Sequence, residues 1–91
     1  MEDIKRCYRE ALFKHIDALE SAGADLLAGE PGAADTIRRI VHQLKGSGGT
    51  YGYPEITAAA EALQNAREKE IPASLDALLV ILRKVAFEVM D

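Results

Sequence analysis

Apolar residues recur along this chain at steps of three and four, a period that writes four helices and no strand. The first carries Ile4, Tyr8, Ala11, Leu12, His15, Ile16, Leu19, Ala22, Leu26 and Leu27, and spans about Glu2 to Ala28. His15 reads as a boundary residue of that helix, and Gly23 as a kink or an early end. Gly29-Glu30-Pro31-Gly32 is the clearest break. A second helix begins between Ala33 and Asp35, with Asp35 as its cap, and continues to about Tyr51. Gly52-Tyr53 is a very short connection, after which Pro54 suits the first position of a third helix. Ile56, Ala59, Ala60, Leu63 and Ala66 form its stripe, which runs to about Glu70, and its small alanines favour close packing. Ile71-Pro72 interrupts the pattern, and Ser74 is placed to cap a last helix. Leu75, Leu78, Leu79, Leu82, Val85, Ala86 and Val89 make its buried face. Short connections make neighbouring helices antiparallel, so the expected fold is an all-α, up-down-up-down four-helix bundle forming one domain over residues 1–91. Val80, Ile81 and Phe87 lie off the fourth stripe. A broadened core face in a monomer explains them, and a homodimer contact is the alternative.

The second helix departs from a plain amphipathic pattern. At 100° per residue, Ile37, Ile40, Val41, Leu44 and Tyr51 fall within about 40° of one direction, while His42 lies about 140° away. Arg38, Lys45, Gly46 and Gly49 surround His42, and Arg39 sits just behind. Gly46, Gly48 and Gly49 in a helix interior would each cost roughly 0.5–1 kcal/mol relative to alanine. That concession is large for a small domain with about 5–15 kcal/mol of net stability. Gly46 and Gly49 lie one and two turns beyond His42, so they strip the surface beside the ring and let another backbone approach. The competing view ends the helix at Lys45 and makes the glycines a loop. Tyr51 keeps the helical phase, however, and Gly52 is a natural terminator.

Phosphoryl transfer through an exposed imidazole suits this arrangement. A neutral ring offers a nitrogen lone pair near pH 7. Arg38, Arg39 and Lys45, three or four residues away, are helix-surface neighbours able to attract phosphoryl oxygens. The plainer alternative is an ordinary exposed histidine on a basic helix face.

His42-Gln43-Leu44-Lys45-Gly46-Ser47, followed by Gly52, resembles the signature of histidine-containing phosphotransfer domains. The segment Gly49-Thr50-Tyr51-Gly52-Tyr53 looks like the phosphotransfer domain of chemotaxis histidine kinases. The resemblance implies that His42 is the phosphorylated residue, Lys45 the phosphate-stabilising lysine and Gly46 the small docking residue. Many members carry a glutamate on the next helix that orients the imidazole. The nearest candidates here are Gln64 and Glu61, and a glutamine oxygen can accept a ring N–H without adding charge.

Composition fits a compact cytoplasmic domain. The chain is 48% hydrophobic with a net charge of -4, and its pI is near 5.1, which argues against nucleic acid as a partner. The basic residues around His42 therefore form a local patch suited to an acidic partner site, such as a receiver-domain carboxylate cluster. Arg38, Arg39, Gly46 and Gly49 are the expected docking residues. The single cysteine, Cys7, is expected to pack in the core, and no internal disulfide is possible. No apolar run approaches the roughly 20 residues that cross a bilayer, and the charged start is not a signal peptide. The glycines have the wrong spacing for a dinucleotide fingerprint, and no lysine followed by Ser or Thr comes after a glycine loop to make a Walker-type cradle. His15 and His42 lie on different helices without companion ligands, so no metal is expected. Tyr51 is expected in the core, Tyr53 at the turn or the rim of the docking surface, and Glu61, Glu68, Glu70 and Asp76 on a solvated face.

The expected function is that of a phosphorelay intermediate, not an autonomous kinase. His42 would accept a phosphoryl group from a receiver-domain aspartate and pass it to another receiver, with Lys45 and Gln64 assisting. The chain would need no cofactor of its own, the magnesium residing on the receiver. Partners implied are response-regulator receiver domains and a hybrid or separate histidine kinase. Two alternatives stand: the phosphoacceptor domain of a larger kinase, and a receiver-docking module that takes no phosphate. Met1 and the length favour a free-standing relay, and the aromatic tail of the motif favours the kinase domain.

Overall fold

The computed structural model describes residues 2–87, with side chains from residue 7 onward. The side chain of Ile4, and all of Val89, lie outside the described residues. Four helices follow one another: α1 (Glu2–Leu27), α2 (Ala33–Thr50), α3 (Pro54–Gln64) and α4 (Ile71–Ala86), with one 3-10 turn at Glu68–Glu70 before α4. No strand occurs among the described residues.

The first two helices end as the glycines dictate. At the end of α1, Gly29 adopts φ 79°, and Glu30 N–H donates to the Asp25 carbonyl at 2.9 Å. At the end of α2, Gly52 takes φ 84°, and Tyr53 N–H donates to the Gly48 carbonyl at 2.7 Å. Both are left-handed caps that satisfy carbonyls the helix leaves open. Gly23, in contrast, neither kinks nor ends α1. A Cβ there would sit 2.9 Å from Leu75 Cδ2, so this glycine marks a close approach of α1 to α4.

Three expected boundaries are corrected. Asp35 does not cap α2, because Gly32 occupies the cap position and Asp35 lies in the first turn. α3 stops at Gln64 rather than near Glu70. Beyond it, Arg67 is extended, its N–H donates to the Glu70 carboxylate at 3.0 Å, and Glu70 N–H returns to the Arg67 carbonyl at 2.7 Å. That local pairing competes with continued helix. α4 therefore starts at Ile71 with Pro72 in its first turn, and Ser74 is inside the helix. Proline fits there because a first-turn N–H has no helical partner to lose.

The core is aliphatic. Leu12, Leu19, Ile37, Val41, Leu44, Ile56, Leu63, Ile71, Leu78 and Leu82 are fully buried, each stabilising the fold by about 1.5–3 kcal/mol. Cys7, expected inside, is exposed, and so is Ala11. They share an outward stripe of α1 with Lys14, Ala18 and Ser21. Leu27, at the very end of α1, is 79% exposed. Of the three residues off the fourth stripe only Ile81 broadens the core, since Val80 and the cap residue Phe87 face solvent.

Phe13 meets Phe87, Glu20 pairs with Arg83, and Gly23 faces Leu75 across α1 and α4. Across α2 and α3, Gly48 meets Ile56, Lys45 pairs with Glu61, and His42 meets Gln64.

Candidate functional site

α2 presents its histidine because its apolar residues leave no choice of face. Ile37, Val41 and Leu44 are fully buried, which turns His42, Arg39, Gly46 and Gly49 outward, all of them exposed. The helix runs unbroken through the glycines to Thr50, so the loop alternative is excluded. α3 reaches the ring through Gln64, whose Nε2 lies 3.1 Å from His42 Nδ1. Gln64, the last residue of α3, thus faces one ring nitrogen, while the edge carrying Nε2 has no partner from α3.

One turn on, Lys45 Nζ forms an ion pair with Glu61 at 3.4 Å. Glu61 is therefore the lysine's partner, while Gln64 stands against the imidazole. Arg38 is half-buried, and its Nη2 donates to the Ala66 carbonyl at 3.5 Å, past the end of α3. The early end of α3 makes that carbonyl available. Arg39 carries its charge into solvent.

The three glycines are not equivalent. A Cβ on Gly46 would meet nothing within 4 Å, and one on Gly49 would find only Thr57 Oγ1, at an ordinary 3.6 Å. A Cβ on Gly48 would lie 2.9 Å from Thr57 Oγ1 and 3.1 Å from two Ile56 carbons. Gly48 is buried and lets α3 press against α2, while Gly46 and Gly49 leave the outer surface low. Thr57 completes this contact by donating from Oγ1 to the Lys45 carbonyl at 3.0 Å. Sequence analysis missed Thr57. Its only signal was a hydroxyl among alanines, and its meaning requires the α2–α3 register.

Beneath the site, Ser47 Oγ and Tyr8 OH share a hydrogen bond of 3.0 Å. The Tyr8 ring stacks on Tyr51, with centroids 4.4 Å apart, and on Tyr53, at 5.8 Å. Burial raises the Tyr8 pKa above its ordinary value, the hydrogen bond from Ser47 opposes this, and the Tyr53 and Tyr51 hydroxyls reinforce it. Tyr53 is buried at the turn, and Tyr51 is half-buried. The stack pins the glycine-rich end of α2 to α1.

Among the described residues no group of three His, Cys, Asp or Glu side chains is placed to hold a metal. No helix there is long and apolar enough to cross a membrane.

Comparison with known proteins bears on the same residues. No curated protein and no solved structure matches the chain significantly. The family model described as Hpt domain matches residues 3–86, which takes in all four helices and the His42 segment. Members of that family carry out histidine phosphotransfer in two-component signalling through a phosphohistidine, and are not kinases. Over nearly its whole length, this chain belongs to the Hpt domain family.

Proposed function

We propose that the chain is a phosphorelay intermediate, built as an antiparallel up-down-up-down bundle, whose phosphoryl carrier is His42. The observation that supports this best is the exposed ring of His42, held at Nδ1 by the Gln64 amide. The amide nitrogen faces Nδ1 in the structure; with the amide turned over so that its oxygen faces the ring, Nδ1 donates its proton to Gln64 and the lone pair resides on Nε2. That nitrogen attacks the phosphorus of an aspartyl phosphate on a docked receiver domain. The N–P bond forms as the P–O bond to the aspartate breaks, and the electron pair leaves with the carboxylate. Transfer to a second receiver reverses these steps.

Lys45 neutralises charge on the phosphoryl oxygens, which is the main demand of such a transition state. Glu61 holds it one turn away until the phosphoryl group arrives. Gly46 and Gly49 give the receiver's backbone access to the ring. Arg38 and Arg39 steer the acidic receiver toward this edge. Magnesium belongs to the receiver, whose acidic pocket supplies its ligands. The location that fits this role is the cytoplasm.

Incubation with phosphorylated receivers tests the proposal. Label on the chain should be acid-labile, base-stable and absent from His42→Gln. Labelling only by ATP with a kinase catalytic domain would make the chain a kinase's phosphoacceptor domain. Binding of receivers without label would make it a docking module.

A further inference from the structure

The face of the bundle away from His42 is apolar and has its own pattern. Phe13, Leu27, Val80 and Phe87, the large apolar side chains most exposed among the described residues, sit on α1, on α4 or, for Phe87, at the residue that caps α4. The helices contact one another in a closed ring, α1 with α2, α2 with α3, α3 with α4 and α4 with α1. The α1–α4 face therefore lies across the bundle from α2 and α3. A groove of about 500 Å³ runs along it, bordered by Gly23, Ala24, Leu27, Pro72, Asp76 and Val80.

The residues of this face are arranged for a two-fold axis. Along α4 and its cap residue Phe87, Ala73, Asp76, Val80, Arg83 and Phe87 all lie within about 60° of the Val80 direction, at 100° per residue, and all five are exposed. An axis beside Val80, crossing α4 at right angles, sets Val80 against its own copy. The same axis brings Asp76 level with Arg83 of the second copy, on the same side of the seam. It also brings Ala73 level with the second copy's Phe87, a small residue against a large one.

Phe87 makes an edge contact with Phe13, ring centroids 5.0 Å apart, and so projects as a fixed knob at one end of the face. The groove beside Ala24, Leu27 and Pro72 is an apolar socket at the other end. A knob and a socket at opposite ends of one surface are self-complementary under two-fold rotation. Arg83 is already held by Glu20 of its own chain, so it is ordered before it meets a second carboxylate. The extents of the molecule, 42 × 20 × 17 Å, give a long face comparable with the roughly 800 Å² that each partner of a standard interface buries.

We propose that the α1–α4 face binds a second copy of this chain through antiparallel α4 helices, leaving both His42 sites outward. Sedimentation equilibrium of the full chain tests this from about 10 μM to about 1 mM. The expected result is a mass rising from 9.9 kDa toward twice that value. Val80→Glu, which places like charges together on the axis, should keep the mass at one chain with unchanged helical circular dichroism. Asp76→Lys and Arg83→Glu should each weaken self-association by about tenfold or more. Mixing those two variants should restore it, since each then supplies the charge the other lacks. The mixing experiment stands even if Val80→Glu fails to fold. A mass of one chain across the whole range overturns the proposal and leaves the face to a different partner. A dimer unaffected by Val80→Glu, or a mixture that stays dissociated, overturns it as well.

Discussion

The Gln64 amide and the His42 ring meet at 3.1 Å, joining the middle of α2 to the last residue of α3. The contact does more than position the ring. An amide nitrogen toward the ring makes Nδ1 an acceptor and puts the ring proton on Nε2. An amide oxygen there makes Nδ1 the donor and frees the Nε2 lone pair. Only the second state is nucleophilic at the outward nitrogen. Gln64→Leu should therefore slow phosphoryl transfer by roughly three- to tenfold, the worth of one neutral hydrogen bond. Gln64→Glu, which keeps an acceptor, should retain transfer. Single-turnover transfer from a phosphorylated receiver checks both, and equal rates for Gln64→Leu and the unaltered chain would remove Gln64 from the mechanism.

Lys45 and Glu61 make a prediction of opposite sign. Their ion pair is at the surface, so it contributes little stability, about 0–1 kcal/mol. It does compete with the phosphoryl group for the same ammonium. Lys45→Ala should lower the transfer rate by about a hundredfold, as expected for loss of a group that stabilises developing charge. Glu61→Gln should raise it by about two- to fivefold in low salt, with the gain fading as salt screens the carboxylate. Rates measured at two ionic strengths test this, and an unchanged low-salt rate in Glu61→Gln would mean that Lys45 is not restrained.

The glycines separate into packing and access. Gly48→Ala gains helix propensity but drives a methyl group against Ile56 and Thr57, and overpacking of that kind costs about 1–3 kcal/mol. Gly46→Ala meets open space and should stabilise by about 0.5–1 kcal/mol. Gly46→Glu should keep the helix content and abolish transfer by blocking the receiver. Urea denaturation and transfer assays on the three variants separate these effects. Normal transfer by a folded Gly46→Glu protein would place the docking surface elsewhere.

Much of this was legible in the order of residues, because burial of Ile37, Val41 and Leu44 forces His42 outward whatever the rest of the bundle does. The ends of α1 and α2 were legible for a similar reason, since glycine supplies the left-handed cap. What failed was local competition. Asn65 to Glu70 are acceptable helix formers, and nothing in their pattern announces that Arg67 and Glu70 will pair with each other. Cys7 was misplaced because an apolar residue beside a stripe looks like part of it. The different duties of Gly46 and Gly48 depend on which one faces α3, and the order of residues alone does not give that register. Gln64 and Glu61 were both candidates for one role, and their separation depends on one turn of α3.

The other histidine offers a test that leaves the site untouched. His15 is half-buried on α1, and burial lowers its pKa from the ordinary 6.5. The unfolded chain therefore takes up a proton at this ring at higher pH than the folded one does. Stability from the neutral ring is fully present above pH 6.5. It is lost as pH falls from there through the depressed folded value, because the unfolded state then binds more protons. His15→Gln removes this titration. Its melting temperature should fall less steeply than that of the unaltered chain as the buffer is lowered from neutrality toward pH 5, a range above most carboxylate titration. Parallel curves for the two proteins would show that the ring is solvated in the folded state and that the α1 boundary is looser than its neighbours imply.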